Sequence, residues 1–124
     1  MKRTILACLG VLTLSGSALA AENIVGTWQR SNGESRVRMA PCGGAVCGTI
    51  SWLKTPGKGD AKVGQQVFYD MKPDGSGGWA GSAFNPEDGK TYAGKASVSG
   101  SSMTTKGCVL GGMICKSVSW SRVN

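Results

Sequence analysis

The sequence predicts an all-β fold, a small antiparallel up-and-down barrel of eight strands held by two disulfides. Three observations carry that expectation. Beyond residue 20 no segment shows helical periodicity; short runs of alternating apolar and polar residues replace it. Gly, Pro, Asn and Asp separate the runs, and most of the 20 glycines fall where turns are needed. Four cysteines, Cys42, Cys47, Cys108 and Cys115, bracket two of those turns.

The elements follow in order. Residues 1–20 read as an export signal. Met1-Lys2-Arg3 is a basic start, 4–14 an apolar run too short to span a bilayer, and Ala18-Leu19-Ala20 a small-x-small cleavage site. Cleavage is expected after Ala20 or Ala21. Cys8 would then leave with the signal, because cleavage there would discard too little apolar chain to engage export. The mature chain, 21–124, is about one hundred residues, which suits a single domain.

The first strand spans 24–30, with Ile24, Gly26 and Trp28 on one face. Asn32-Gly33 is a hairpin signal. The second strand, 34–40, turns Val37 and Met39 inward and Arg36 and Arg38 outward. After Pro41-Cys42-Gly43-Gly44 comes 46–53, with Val46, Gly48, Ile50 and Trp52 on one face by period two. The polar loop 54–64 reads as the most mobile segment. Strands then follow at 65–71, 78–84, 90–99, 101–109 and 113–123. Tyr92, Gly94, Ala96 and Val98 share a face, as do Val118, Trp120 and Arg122.

Short reversals make sequential strands antiparallel neighbours. A closed barrel removes the free edges that invite aggregation. Glycines inside the strands, such as Gly26, Gly48, Gly81 and Gly94, permit sharp curvature. A two-sheet sandwich is the alternative, and only the 54–64 loop could supply its crossover.

The thiols admit three pairings. The local one, Cys42–Cys47 and Cys108–Cys115, is expected because each pair encloses a tight turn, and an exported chain meets an oxidising compartment. A four-thiolate zinc site would need shorter spacings.

Composition narrows function. Without Lys2 and Arg3 the chain has 12 basic and 7 acidic residues, a balance of +5. This suits solubility or contact with an anionic envelope surface. No basic stripe or stacking aromatic run suggests nucleic acid, and no mature segment is apolar for long enough to form a transmembrane helix. With no histidine, the commonest general base and metal ligand are missing, so neither a metal nor a cofactor is expected. Ser51-Trp52-Leu53-Lys54 matches S-x-x-K, but in a strand a spacing of three divides the pair between faces. Glu87-Asp88 is the only adjacent acid pair and sits in a Pro-Glu-Asp-Gly turn, where neighbours point apart. No catalytic residue is assigned, and an enzyme is not expected.

Binding potential lies in the aromatics. Trp28 and Trp120 are expected to plug the barrel base, with Gly26 and Arg122 beside them. Trp52, Tyr69, Trp79 and Tyr92 are the candidates for lining an open mouth. A small apolar or amphipathic ligand is the leading expectation. The alternative is a filled barrel that touches a protein or anionic lipid partner through Arg36, Arg38 and Lys95.

Gly26-Thr27-Trp28 near the start and Trp120-Ser121-Arg122 near the end resemble the closing G-x-W and the packed basic residue of the lipocalin (calycin) superfamily. A wider resemblance runs through GTW (26–28), PCGGAVCGTISWLK (41–54), GGWAGSAFNPEDGKTYAG (77–94) and KGCVLGGMICKSVSWSR (106–122). It is to a bacterial envelope family known as domain of unknown function 2147. The resemblance implies a lipocalin-like barrel and an exported, periplasmic or secreted location. It brings no activity, ligand or catalytic residue. Asn85 stands where many members have Asp, and is read as a turn residue.

Overall fold

The computed structural model describes residues 20–124. Nearly all of the expected export signal, Cys8 included, lies outside them. Eight strands follow in order: β1 (Gly26–Arg30), β2 (Ser35–Cys42), β3 (Ala45–Leu53), β4 (Gln66–Pro73), β5 (Trp79–Asn85), β6 (Lys90–Ser99), β7 (Ser102–Val109) and β8 (Ile114–Arg122). Each pairs antiparallel with the next. β1 also pairs with β8 through Trp28↔Arg122, Gln29↔Ser121 and Arg30↔Trp120, which closes the barrel. Among the described residues no strand crosses over, so the sandwich alternative falls.

The alternation read from sequence places most of the core. Val37 and Met39 on β2, Val46 and Ile50 on β3, Ala96 and Val98 on β6, and Trp120 on β8 are buried. Trp28, Ile24, Met39, Met71 and Met103 are fully enclosed. Each such large side chain stabilises the fold by about 1.5–3 kcal/mol relative to exposure. Gly48 lies where a Cβ would stand 2.7 Å from Met39 Sδ and 2.8 Å from Phe68 Cδ2, so only glycine lets the two side chains fill that layer.

Three bulges break the period. The pairings Arg36↔Trp52 and Val37↔Ile50 leave Ser51 as an extra residue on β3. The expectation that Trp52 shares the inner face of Ile50 is therefore corrected: Trp52 turns outward and Leu53 packs against the core. On β4 the register shifts between Tyr69 and Lys72, and Asp70 takes φ 51°. Opposite β3, the pairings Gly48↔Phe68 and Thr49↔Gln66 leave Val67 as an extra residue, so Val67 and Phe68 are consecutive buried residues and Tyr69 faces solvent.

The two ends of the barrel differ. One carries the N-terminal segment and the turns at 43–44, 74–78 and 100–101. The other carries the connections 31–34, 54–65, 86–89 and 110–113. The 54–65 connection is not free of apolar anchors, because Ala61 packs on the core. Backbone bonds Gly64 N–H to Ile50 O (2.8 Å) and Lys54 N–H to Glu34 O (2.9 Å) hold it. Asp74 accepts from Ser76 N (2.8 Å), Ser76 Oγ (2.9 Å) and Gly78 N (3.1 Å) in the β4–β5 turn. The bonds from Ser76 hold its carboxyl below the ordinary range.

Both local disulfides form. Cys42–Cys47 staples the β2–β3 hairpin at the first end, with Cα atoms 5.9 Å apart. Cys108 and Cys115 face each other in register across β7 and β8 at the other, with Cα atoms 4.1 Å apart.

Candidate functional site

The first end is sealed by the chain's own residues. Trp28 is fully buried and donates from Nε1 to Ile24 O (2.9 Å). The Arg122 guanidinium lies 4.3 Å from the Trp28 ring centroid, within cation–π range. Its two terminal nitrogens donate to Val25 O (2.8 Å) and Asn23 O (2.7 Å). One side chain thus satisfies two carbonyls and covers an indole face. Gly26 adopts φ 141°, and a Cβ there would meet Asn124 O at 2.6 Å and Arg122 Nη1 at 2.7 Å. The G-x-W glycine is the clearance that lets the arginine and the chain end reach the tryptophan.

Trp120 stands one layer further in. Its Nε1 donates to the buried Thr105 Oγ1 (2.9 Å), and its ring meets Phe68 edge-on with centroids 6.3 Å apart. The expectation that Trp120 joins Trp28 in the base is corrected on register, since it pairs with Arg30 while Arg122 pairs with Trp28. Trp120 therefore borders the cavity above the base rather than the base itself.

Above Trp120 the barrel is open. A cavity of about 420 Å³ reaches the second end. Val37, Ile50, Val67, Phe68 and Val118 form its apolar wall. Two small residues, Ala83 on β5 and Gly107 on β7, also border it. The rim changes character. Arg30 and Lys116 occupy inner-face register positions, opposite Trp120 and Gly107 respectively, and both border the cavity.

The acids at the rim belong to a turn. Asn85 Oδ1 accepts from Glu87 N (2.9 Å), and Asp88 Oδ1 accepts from Lys90 N (2.9 Å). The Tyr92 hydroxyl donates to Asp88 Oδ2. That bond holds the Asp88 carboxyl below its ordinary range and raises the Tyr92 phenol above 10.0.

Of the four aromatics proposed to line the mouth, the structure brings only Tyr92 to the cavity. Trp52 lies outside, 38% exposed, with the Arg36 guanidinium 5.0 Å from its ring centroid. Tyr69 is equally exposed and donates to Gln66 O (3.2 Å). Trp79 belongs to the sealed end, where its Nε1 donates to Glu22 O (3.0 Å). The β3 and β4 bulges explain the first two placements. The N-terminal segment folding across the end explains the third.

Arg36 and Arg38 lie on β2 and Lys95 on β6, four strands apart in an eight-stranded barrel, so the three form no common patch. Ser51 and Lys54 are exposed and do not border the cavity. Among the described residues no three His, Cys, Asp or Glu side chains gather as a metal would require. No helix among them is long and apolar enough to cross a membrane.

Sequence reasoning missed Arg30, Lys116, Phe68 and Thr105. Lys116 was legible, because the period that joins Val118, Trp120 and Arg122 extends to it. Phe68 was not, because a bulged strand has no single period.

A family model described as "Uncharacterized protein conserved in bacteria (DUF2147)" matches residues 26–122, from the first residue of β1 to the last of β8. No curated protein and no solved structure matches the chain.

Proposed function

The chain belongs to this family of uncharacterised bacterial proteins, and because membership carries no activity with it, we propose on physical grounds that the protein binds one small apolar or amphipathic molecule inside its barrel, without catalysis. The observation that carries this is the 420 Å³ apolar cavity open at one end only. Its size falls within the ~300–1,000 Å³ common for small-molecule pockets. An eight-stranded barrel is either filled by its own side chains or holds one small ligand. Here the Trp28 layer is filled and the layer above Trp120 is not.

The polarity gradient favours an amphipathic guest. Its apolar part would lie against Phe68, Val118 and Trp120. A polar or anionic end would meet Arg30 and Lys116 at the rim. Burial of a hydrocarbon segment supplies about 25 cal/mol per Å² removed from water. The rim groups set orientation more than affinity.

The site is proposed to work outside the cytoplasm, in the periplasm or as a secreted protein. The signal-like start and the two disulfides support that setting. The alternative of a filled barrel using Arg36, Arg38 and Lys95 as one patch gains nothing from their placement on opposite walls.

Two measurements test the reading. Native mass spectrometry of protein recovered from the periplasm should show a stoichiometric small-molecule adduct. A neutral fluorescent probe of hydrocarbon character should brighten on binding at one site per chain. Absence of both adduct and probe uptake would sink the proposal.

A further inference from the structure

The open end carries a second anomaly. Of the large apolar side chains that remain exposed, Val109, Leu110, Met113 and Ile114 all belong to one hairpin tip, that of β7–β8. Leu110 is 69% and Met113 84% exposed. Scattered exposed hydrophobics need no explanation, but a contiguous group does. A turn selected only to reverse the chain would use glycine or asparagine at positive φ. Leu110 instead holds φ 54°, where a bulky residue is uncommon. Gly111 and Gly112 complete the reversal, and the Cys108–Cys115 bond joins the strands directly beneath. The chain accepts a strained backbone in order to present an apolar tip on a cross-linked stalk.

The surroundings identify the kind of partner. Lys106 and Lys116 lie on the two strands that carry the tip. Lys54, Lys58, Lys62 and Lys90 lie on or beside the connections at the same end of the barrel. Glu34, Asp60, Glu87 and Asp88 oppose them and leave an excess of positive charge. An apolar tip on a barrel end of net positive charge complements an anionic bilayer surface met end-on, where apolar side chains enter the interface and lysines meet headgroups. A second copy of this chain fits poorly. A stable protein interface uses about 20–30 residues a side, and a closed barrel offers no free edge for strand pairing.

We propose that the disulfide-braced tip formed by Val109, Leu110, Met113 and Ile114 docks the open end onto an anionic lipid surface, with Lys106 and Lys116 contributing the charge. Docking turns the cavity mouth towards the bilayer. Val109, Ile114, Lys106 and Lys116 also border the cavity mouth, whereas Leu110 and Met113 stand clear of it, so docking and uptake are read separately on each variant.

The test is co-sedimentation of the disulfide-bonded mature protein with vesicles. Phosphatidylglycerol–phosphatidylethanolamine vesicles should bind it, and pure phosphatidylcholine vesicles at least tenfold less. A triple variant, Leu110→Asn, Met113→Ser and Ile114→Ser, should bind the anionic vesicles at least tenfold more weakly. Lys106→Gln with Lys116→Gln should lower binding on the order of tenfold and flatten its salt dependence. Melting temperature and uptake of the neutral probe are measured on every variant. Probe uptake lost by the wild type while vesicle binding persists would end the cavity reading and leave this one standing. Wild-type protein that stays in the supernatant would overturn the docking proposal, as would a tip variant that sediments unchanged. Sedimentation equilibrium showing a dimer that the tip variant abolishes would assign the surface to a second copy.

Discussion

Arg122 shows how one side chain can close a barrel. It stacks on Trp28 and donates to two carbonyls of the N-terminal segment. Stacking contributes about 0.5–2 kcal/mol, and the part-buried bond to Val25 O adds to it, whereas Asn23 O is exposed. Arg122→Ala should destabilise the protein by about 2 kcal/mol, read as a lower denaturation midpoint. Arg122→Lys should recover little of it, because an ammonium cannot stack and bond both carbonyls in one geometry. Full recovery by lysine would mean that charge alone holds the end.

Tyr92 and Asp88 offer a second residue-scale expectation. The carboxylate raises the phenol's pKa, and the phenol lowers the carboxyl's. The contact therefore holds between the two. It is lost as pH falls through the lowered Asp88 value and as pH rises through the raised Tyr92 value. Asp88→Asn should bring the Tyr92 titration down towards 10.0, followed by phenolate absorbance. An unchanged alkaline titration would show that the bond is not made in solution.

At the scale of elements, the β7–β8 hairpin combines opposing roles. Gly107 faces the cavity, Lys116 sits at the rim, and the tip is apolar and exposed. The Cys108–Cys115 bond closes a short loop and is worth about 2 kcal/mol by the chain-entropy estimate. Replacing both cysteines by Ser should lower the melting temperature by roughly 10 °C, given about 4–8 °C per kcal/mol for a domain of this size. A coincident melting curve would show that the bond adds nothing net. The bulges on β3 and β4 are the other element-scale devices. The bulge at Ser51 turns Trp52 to the surface, and the one at Val67 does the same for Tyr69.

Across the whole molecule, closure and the cavity are linked. β1–β8 pairing leaves no edge, and the Trp28 layer stops one end. Ala83 and Gly107, small residues interspersed among the larger lining side chains, border the unfilled upper half. Val118→Trp should fill that space. It should cut probe binding at least tenfold while the melting temperature stays the same or rises, as cavity-filling changes commonly stabilise. Probe binding that survives the substitution would place the ligand elsewhere. If tryptophan overpacks the wall and the protein melts early, Val118→Phe makes the same comparison with a smaller side chain.

Local chemistry determined most of this architecture in advance. Alternation gave Val37, Met39, Ala96 and Val98 their inward faces, glycine-rich dipeptides gave the reversals, and cysteines around tight turns gave the disulfides. The pairing of Gly26-Thr27-Trp28 with Arg122 was legible because those residues open and close the barrel's seam. Only the tertiary structure decided which aromatics meet the cavity. A bulge inverts every side chain beyond it, and it arises from pairing with a neighbouring strand, a long-range property that no local period encodes. The same holds for the cavity itself, whose lining includes Ile50 on β3 and Gly107 on β7, four strands apart in the barrel and far apart in the chain, and so meets only once the sheet has closed.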